Sequence, residues 1–360
     1  MNCLNFAVYV TLTSTFLGNT AIGQWNPQVY NAIKWTAPNQ GQQTIQYTTN
    51  QGITRVPLAY HGGVDWNESG DISHHDIDRF TTWVHEHLQE NYCGPIVLDY
   101  ERPWWKELGA RSILPERLRE ILSIYIEGVQ VATKILPNAQ WGYWGFPLHR
   151  NTGKIWADEG LTVEPLVANS AALYPDVYDS KLGGDSSNHA ENHISKILEL
   201  AQGRMPVYVF VSPRYTGQGG NHTNFIPSEA FLKQANAAMK AVWIDADGTQ
   251  HRIQGLIFWD SYTFTAEEEW AELDERHTYS FKLLSALVEA WKKELADTRV
   301  ETSIPESPFC QYGLPEPVNS AATLNLKSQK IPHEENTQIL PEMEHDRVNS
   351  DRVRSPRIRE

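Results

Sequence analysis

The stretch Pro95-Ile96-Val97-Leu98-Asp99-Tyr100-Glu101-Arg102-Pro103-Trp104-Trp105 decides how the chain is read. Ile96-Val97-Leu98 is a continuous apolar run, as expected for a strand buried on both faces. It ends in two carboxylates two positions apart. Strand side chains alternate, so Asp99 and Glu101 project from the same face, with Cα atoms roughly 6 to 7 Å apart at a rise near 3.3 Å per residue. Two chemistries fit such an ending. In one, Asp99 caps the following loop and Glu101 pairs with Arg102 or Lys106. In the other, the acids share a site that drives their pKa values apart, leaving one ionised and the other a proton donor near neutral pH. Glycosidic cleavage requires a pair of this kind.

Working outward, apolar runs at 30–35, 56–60, 96–100, 141–146, 207–211 and 256–259 alternate with helical periodicity. Ile77, Phe80, Val84 and Leu88 recur at turn spacing. So do Leu118, Ile121, Leu122 and Tyr125, and further on Phe231, Ala235, Ala238 and Met239. A last stripe from 279 to 295 carries Phe281, Leu284, Leu287, Val288 and Trp291. Strands alternating with helices imply a parallel sheet. The expected fold class is α/β: a distorted (β/α) TIM-like barrel over residues 24–300, a single domain with its active site at the C-terminal mouth of the strands. An open doubly wound sheet is the alternative, but no glycine fingerprint for a dinucleotide or phosphate loop is present.

The composition agrees with a large folded core. The 360 residues are 41% hydrophobic and 21% charged, which excludes collagen-like and wholly disordered chains. Forty-four acids against 30 bases give a net charge of −14, which argues against nucleic-acid or anionic-membrane partners. Thirteen Trp and fifteen Tyr supply either core filling or flat platforms for sugar rings. Residues 5–18 form an apolar stretch too short to span a bilayer, followed by Ala21-Ile22-Gly23. Residues 1–23 therefore read as a secretory signal, and the protein as secreted or periplasmic, soluble and monomeric. Cys3 would leave with that signal, and Cys93 and Cys310 then either pair or stay free. From about residue 301 to 360 the chain is polar and punctuated by proline, and is expected to be a mostly disordered tail.

The run Ile96 to Arg102 also resembles the catalytic strand of the hyaluronidase family of glycoside hydrolases, the animal and venom type. Four more segments resemble that family in the same order: Gly70 to His75, Trp141 to Pro147, Ala172 to Tyr178, and Gly255 to Trp259. The resemblance implies a glycosidase that cleaves β-1,4 bonds after N-acetylhexosamine units of a hyaluronan- or chondroitin-like polymer, with no cofactor. It implies retention of configuration through the substrate's own acetamido oxygen. Glu101 would then be the general acid and later the base, and Asp99 would orient and stabilise the acetamido nitrogen. Tyr174 would hydrogen-bond the acetamido group and Trp259 would wall its pocket. Tyr143, Trp144 and Arg102 complete the residues assigned to substrate.

The chain departs from that pattern. Trp144 stands where the family has Tyr, so a ring remains and a hydroxyl is lost. The family's disulfide cysteines have no counterparts near the first strand or just after Pro147, and its Cys-rich C-terminal module has none either. A polyanionic substrate needs a basic strip, for which Arg102, Lys106, Arg111, His149, Arg150 and Arg214 are the candidates. The same machinery on a neutral chitin-like or peptidoglycan glycan, or a barrel that binds glycan without turnover, are the alternatives.

Two further signals do not alter this reading. Residues 65–76 match a twelve-residue calcium loop at positions 1, 3, 5, 6, 9 and 12, but position 12 is Asp76 rather than Glu. An ordinary loop into a helix is preferred there, and no metal site is assigned. Asp260, directly after Trp259, is read as a cap on the next loop rather than as a cleft acid.

Overall fold

The computed structural model describes residues 25–110, 112–179, 187–216, 221–296 and 300–301. The signal reading of 1–23, the tail reading of 302–360, Arg111 and Cys310 lie outside the described residues. In chain order the elements are β1 (Gln28–Asn31), α1 (Gln42–Asn50), β2 (Leu58–Ala59), α2 (His74–His87), β3 (Pro95–Leu98), α3 (Trp105–Leu108), α4 (Pro115–Ile135) and β4 (Gln140–Tyr143). There follow α5 (Lys154–Asp158), α6 (Glu164–Asn169), α7 (Ser187–Ala201), β5 (Tyr208–Val211), α8 (Ser228–Lys240), β6 (Trp243–Ile244), β7 (Gln250–His251), β8 (Gly255–Phe258), α9 (Trp270–Glu294) and β9 (Val300–Glu301). Each of the six predicted runs overlaps a strand; β1, β3, β4 and β8 begin one or two residues ahead of their runs, and β2 and β5 lie within theirs. Among the described residues no helix is long and apolar enough to cross a membrane.

The strands do not form one continuous ladder. Two three-stranded parallel sheets, ordered β1-β8-β5 and β2-β3-β4, stand beside a small mixed sheet of β6, β7 and β9. Single parallel bridges link the two parallel sheets. Asn31 pairs with Arg55 on one side, and on the other Trp144 pairs with Tyr174, Leu173 with Val207, and Asp176 with Phe210. The architecture is a mixed α/β single domain with small parallel sheets.

Period-two alternation divides the core. Ile96 and Leu98 join the large cluster beneath the helices, as do Val207, Val209 and Val211. Their sequence neighbours form a second cluster: Tyr30, Ala32, Val56, Val97, Ala172, Tyr174, Tyr208, Phe210 and Ile257. Leu58, Trp144, Tyr178 and Trp259 pack against that second cluster. It lies on the inner side of both sheets, and continuing its alternation along β3 places Asp99 and Glu101 on that side.

Local chemistry fixes the helix starts. Ser73 caps α2 with a reciprocal box, accepting from Asp76 N while the Asp76 carboxylate accepts from Ser73 N at 3.0 Å. Pro115 opens α4, where no backbone N–H is needed. Helix α9 starts nine residues before the predicted apolar stripe, because its first turns bury polar groups. Asp274 leaves its own helix to accept Gln43 N at 2.8 Å and Thr44 N at 2.9 Å, and so caps α1 from across the core.

Candidate active site

The backbone that follows β3 is held at several points. Asp99 N donates to Ala59 O at 3.0 Å, Gly62 N donates to Asp99 O at 3.1 Å, and Trp105 N donates to Glu101 O at 2.9 Å. Asp99 is half-buried, and desolvation together with the Glu101 charge pushes its carboxyl up to about 7, against the pull of Lys34. Glu101 reaches solvent, yet desolvation is still the largest cause of its upward shift, opposed by Arg102. Neither acid forms a salt bridge among the described residues. Such a pair binds a proton near neutral pH, as acid–base chemistry requires.

Two more carboxylates face this pair. Glu68 sits in the left-handed region at φ 54°, and its charge raises both Asp99 and Glu101. Its Cγ lies 3.3 Å from the point a Cβ on Gly62 would occupy, beside the backbone of Asp99. Asp176 is pushed up to about 6 by desolvation, with Glu101 adding to the shift and the Tyr178 N–H opposing it. Gly145 is required here, because an added Cβ would lie 2.8 Å from the Trp105 ring and 3.3 Å from Asp176 Oδ2.

Aromatic rings line the same space in a row. Trp105 stacks on Trp144 with centroids 5.5 Å apart, and Trp144 tilts against Tyr178 at 6.0 Å. Tyr178 stacks on Trp259 at 6.0 Å, and Trp259 meets Phe264 edge-on at 6.1 Å. The Tyr178 hydroxyl is buried, and desolvation, with Asp176 adding, raises its pKa well above the usual phenol value; the Trp144 indole N–H, the group directed at it, opposes the shift from outside good hydrogen-bond geometry. Tyr60 adds a second phenol, pushed up to about 12 by burial and Asp99, with Lys34 Nζ 4.4 Å above its ring.

Of the residues predicted from sequence, the structure gathers Asp99, Glu101, Arg102, Trp144 and Trp259. Tyr143 and Tyr174 are not brought to this cleft. Tyr143 faces the helical layer, where its hydroxyl donates to Tyr125 O at 2.8 Å and presses on Gly128 of α4. Tyr174 faces inward but deep. Its hydroxyl accepts from Ile96 N at 3.1 Å and donates to Gln140 O, so both its functions are spent on the start of β3 and β4. Four residues further along the same face, the Tyr178 hydroxyl is not committed to a backbone group as that of Tyr174 is.

One expectation is met and extended, and another is corrected. Asp260 caps Ser261 N at 2.7 Å, but it is also the hub of a buried ion network, with Arg214 Nε at 2.6 Å and His277 Nε2 at 2.8 Å. Arg214 therefore leaves the proposed basic strip, since its side chain is 1% exposed and also donates to His222 O and Thr265 Oγ1. The 65–76 segment spends its first oxygens internally: the Asp65 carboxylate accepts from Ser69 N, Gly70 N and Tyr100 Oη. Among the described residues no group of three His, Cys, Asp or Glu side chains could hold a metal ion.

Sequence reasoning missed Asp176, Tyr178 and Glu68. The first two carried a usable signal, because Ala172, Tyr174, Asp176 and Tyr178 share one face at period two. Glu68 carried none, as only the loop conformation delivers it.

No protein-family profile and no curated protein matches the chain. Among solved structures, it is similar to bee venom hyaluronidase in complex with a hyaluronic acid tetramer. The TM-score is 0.52 at 13% identity, covering 72% of this chain and all of that one. A second structure of bee venom hyaluronidase gives 0.51 at 14% identity over 73% of this chain, again with full coverage of the other. At these identities the likeness is one of fold, and it shows a fold distantly like that of a glycoside hydrolase.

Proposed function

We propose that the protein is an endo-acting retaining glycosidase that cleaves β-1,4 bonds after N-acetylhexosamine units by substrate-assisted catalysis. The observation that carries this reading is the Asp99–Glu101 pair on one face at the end of β3, two desolvated carboxyls that between them hold a proton near neutral pH, beside a row of aromatic rings. In this reading the two parallel sheets and their bridged segments are the wall of one distorted (β/α) barrel, and the second core cluster fills it beneath the site.

Glu101, the more exposed acid, donates its proton to the glycosidic oxygen as the acetamido oxygen attacks the anomeric carbon. The bond to the leaving sugar breaks and an oxazolinium ion forms. Asp99 accepts a hydrogen bond from the acetamido N–H and stabilises the positive charge on that ring. Glu101, now a carboxylate, takes a proton from water as the water opens the ring with retention. Tyr178 supplies the hydroxyl assigned above to Tyr174, and Trp144 and Trp259 flank the acetamido group. A hyaluronan- or chondroitin-like polymer and an uncharged acetamido glycan both meet these requirements.

The reading also takes the protein as exported and monomeric. Export is supported by the apolar leader ending at Gly23 and by the disulfide-bonded state of Cys93. The deciding experiment measures new reducing ends released from hyaluronan, chondroitin, chitin oligomers and a peptidoglycan glycan, with Glu101→Gln alongside. Cleavage of any of them, lowered about 10²–10⁴-fold in the mutant, is the expected result. Full activity in Glu101→Gln contradicts the assignment. Binding without turnover by the folded wild type points instead to a glycan-binding barrel.

A further inference from the structure

The substrate's charge can be read from what surrounds the pair. Glu68 and Asp176 add two carboxylates to Asp99 and Glu101, one from a loop beside the Asp99 backbone and one from the segment under Trp105 and Gly145. The cations that act on the pair are Lys34 and Arg102. Lys34 is partly engaged by the Tyr60 ring at 4.4 Å. Of the other described basic candidates, Lys106 is exposed beside Trp105, and the rest are engaged or uncharged. Arg214 is buried against Asp260, and Arg150 donates to Gly109 O at 2.7 Å. His149 has its pKa lowered, chiefly by desolvation, and so is neutral at pH 7. What remains on the wall is a row of rings from Trp105 to Phe264, which favours the C–H faces of uncharged pyranoses.

Resting on the glycosidase reading, we infer that this cleft takes an uncharged acetamido glycan and discriminates against a polymer with a carboxylate in every repeat. A uronate seated beside the scissile bond would lose its water next to four acids with too few cations to replace it. Juxtaposed like charges are an effective way to reject a partner that otherwise fits. An uncharged sugar of the same shape meets only the rings and the hydrogen-bonding edges of the acids.

The test keeps linkage and acetamido content fixed and changes only charge. Purified full-length protein is given native hyaluronan and carboxyl-reduced hyaluronan, with chitin oligomers as a second neutral polymer, at low and high salt. The carboxyl-reduced or chitin substrate is expected to be cleaved at least about tenfold faster than native hyaluronan at low salt. Any cleavage of the native polymer should rise with salt, because screening relieves the repulsion. Glu68→Gln should raise the native-to-reduced ratio severalfold. Equal or faster cleavage of native hyaluronan, falling with salt, overturns this inference and leaves the glycosidase reading standing. A ratio that neither salt nor Glu68→Gln moves overturns the charge account. No cleavage of any polymer by the folded protein overturns the glycosidase reading and this inference with it.

Discussion

Two apolar strands of this molecule end in acids, and the two acids have opposite fates. β8 runs into Trp259-Asp260, and β3 runs into Asp99-Tyr100-Glu101. Asp260 is fully buried, yet both its oxygens are claimed, one by Arg214 at 2.6 Å and Ser261 N, the other by His277 at 2.8 Å. Asp99 is less buried and far worse compensated, with Lys34 set against Glu101, Glu68 and the loss of water. Burial with partners makes a carboxylate part of the framework, whereas burial without them leaves it wanting a proton. Position at a strand end is common to both and does not separate them.

The largest effect on stability should come from the framework acid. Asp260→Asn leaves Arg214 as an uncompensated buried charge and should cost about 3–5 kcal/mol. Chemical denaturation at pH 7 checks this, read as a lower midpoint at unchanged slope. A loss below about 1 kcal/mol would mean that the network is dispensable. Because Arg214 also ties His222 and Thr265 to the loop bearing Phe264, any activity lost should follow the fraction folded.

Asp99→Asn should act in the opposite direction. The folded-state pKa is raised from 3.8 to about 7, so between those values the folded protein holds a proton that the unfolded chain has released. Stability from this group is full below about pH 4 and is lost as pH rises through about 7. Replacing the acid by its neutral isostere should therefore stabilise the fold at pH 8 by up to about 4 kcal/mol, and by less than about 1 kcal/mol at pH 4. Turnover should fall at both. Melting temperatures at the two pH values decide it, and destabilisation at pH 8 would show that the carboxylate is a framework group after all. The same shift predicts a basic limb in kcat/KM near pH 7, since the pair must keep one proton, delivered through Glu101, for the leaving group.

How far this was visible without coordinates depends on whether the interaction is local. The alternation in Pro95 to Glu101 placed both acids on one face, and the six apolar runs located the strands of the two parallel sheets. Helices α1, α3, α5 and α6 are short or polar and gave no stripe to read; α7 carries one, Ala190, Ile194, Ile197, Leu198 and Ala201, that was legible and overlooked; and the first turns of α9 were hidden by buried polar residues such as Asp274 and His277. The partners of Asp260 stand 46 and 17 residues away, so its sequence neighbours say only that it follows a strand. Along 172–178 the face was legible and the depth was not. Tyr174 is bridged to Trp144 and its hydroxyl reaches back to the start of β3 and β4, whereas Tyr178 lies beyond the last bridge at Asp176, against Trp144 and Trp259.

That separation yields the smallest expected change in stability and a sharp contrast in activity. Tyr174→Phe removes a hydroxyl that serves Ile96 N and Gln140 O, and leaves a buried N–H and C=O without it; it should cost about 1–3 kcal/mol. Turnover per folded molecule should not change, because nothing of Tyr174 reaches the pair. Tyr178→Phe removes a hydroxyl that no described residue meets in good hydrogen-bond geometry, so stability should shift by less than about 1 kcal/mol, in the favourable direction if at all. Its kcat should fall by about 10²-fold if the hydroxyl holds the acetamido group as the oxazolinium forms, with little change in KM. Denaturation midpoints and steady-state kinetics on the pair of variants read both axes at once. The opposite pattern, in which Tyr174→Phe loses turnover and Tyr178→Phe keeps it, would return the acetamide contact to Tyr174 and require the floor of the cleft to open when substrate binds.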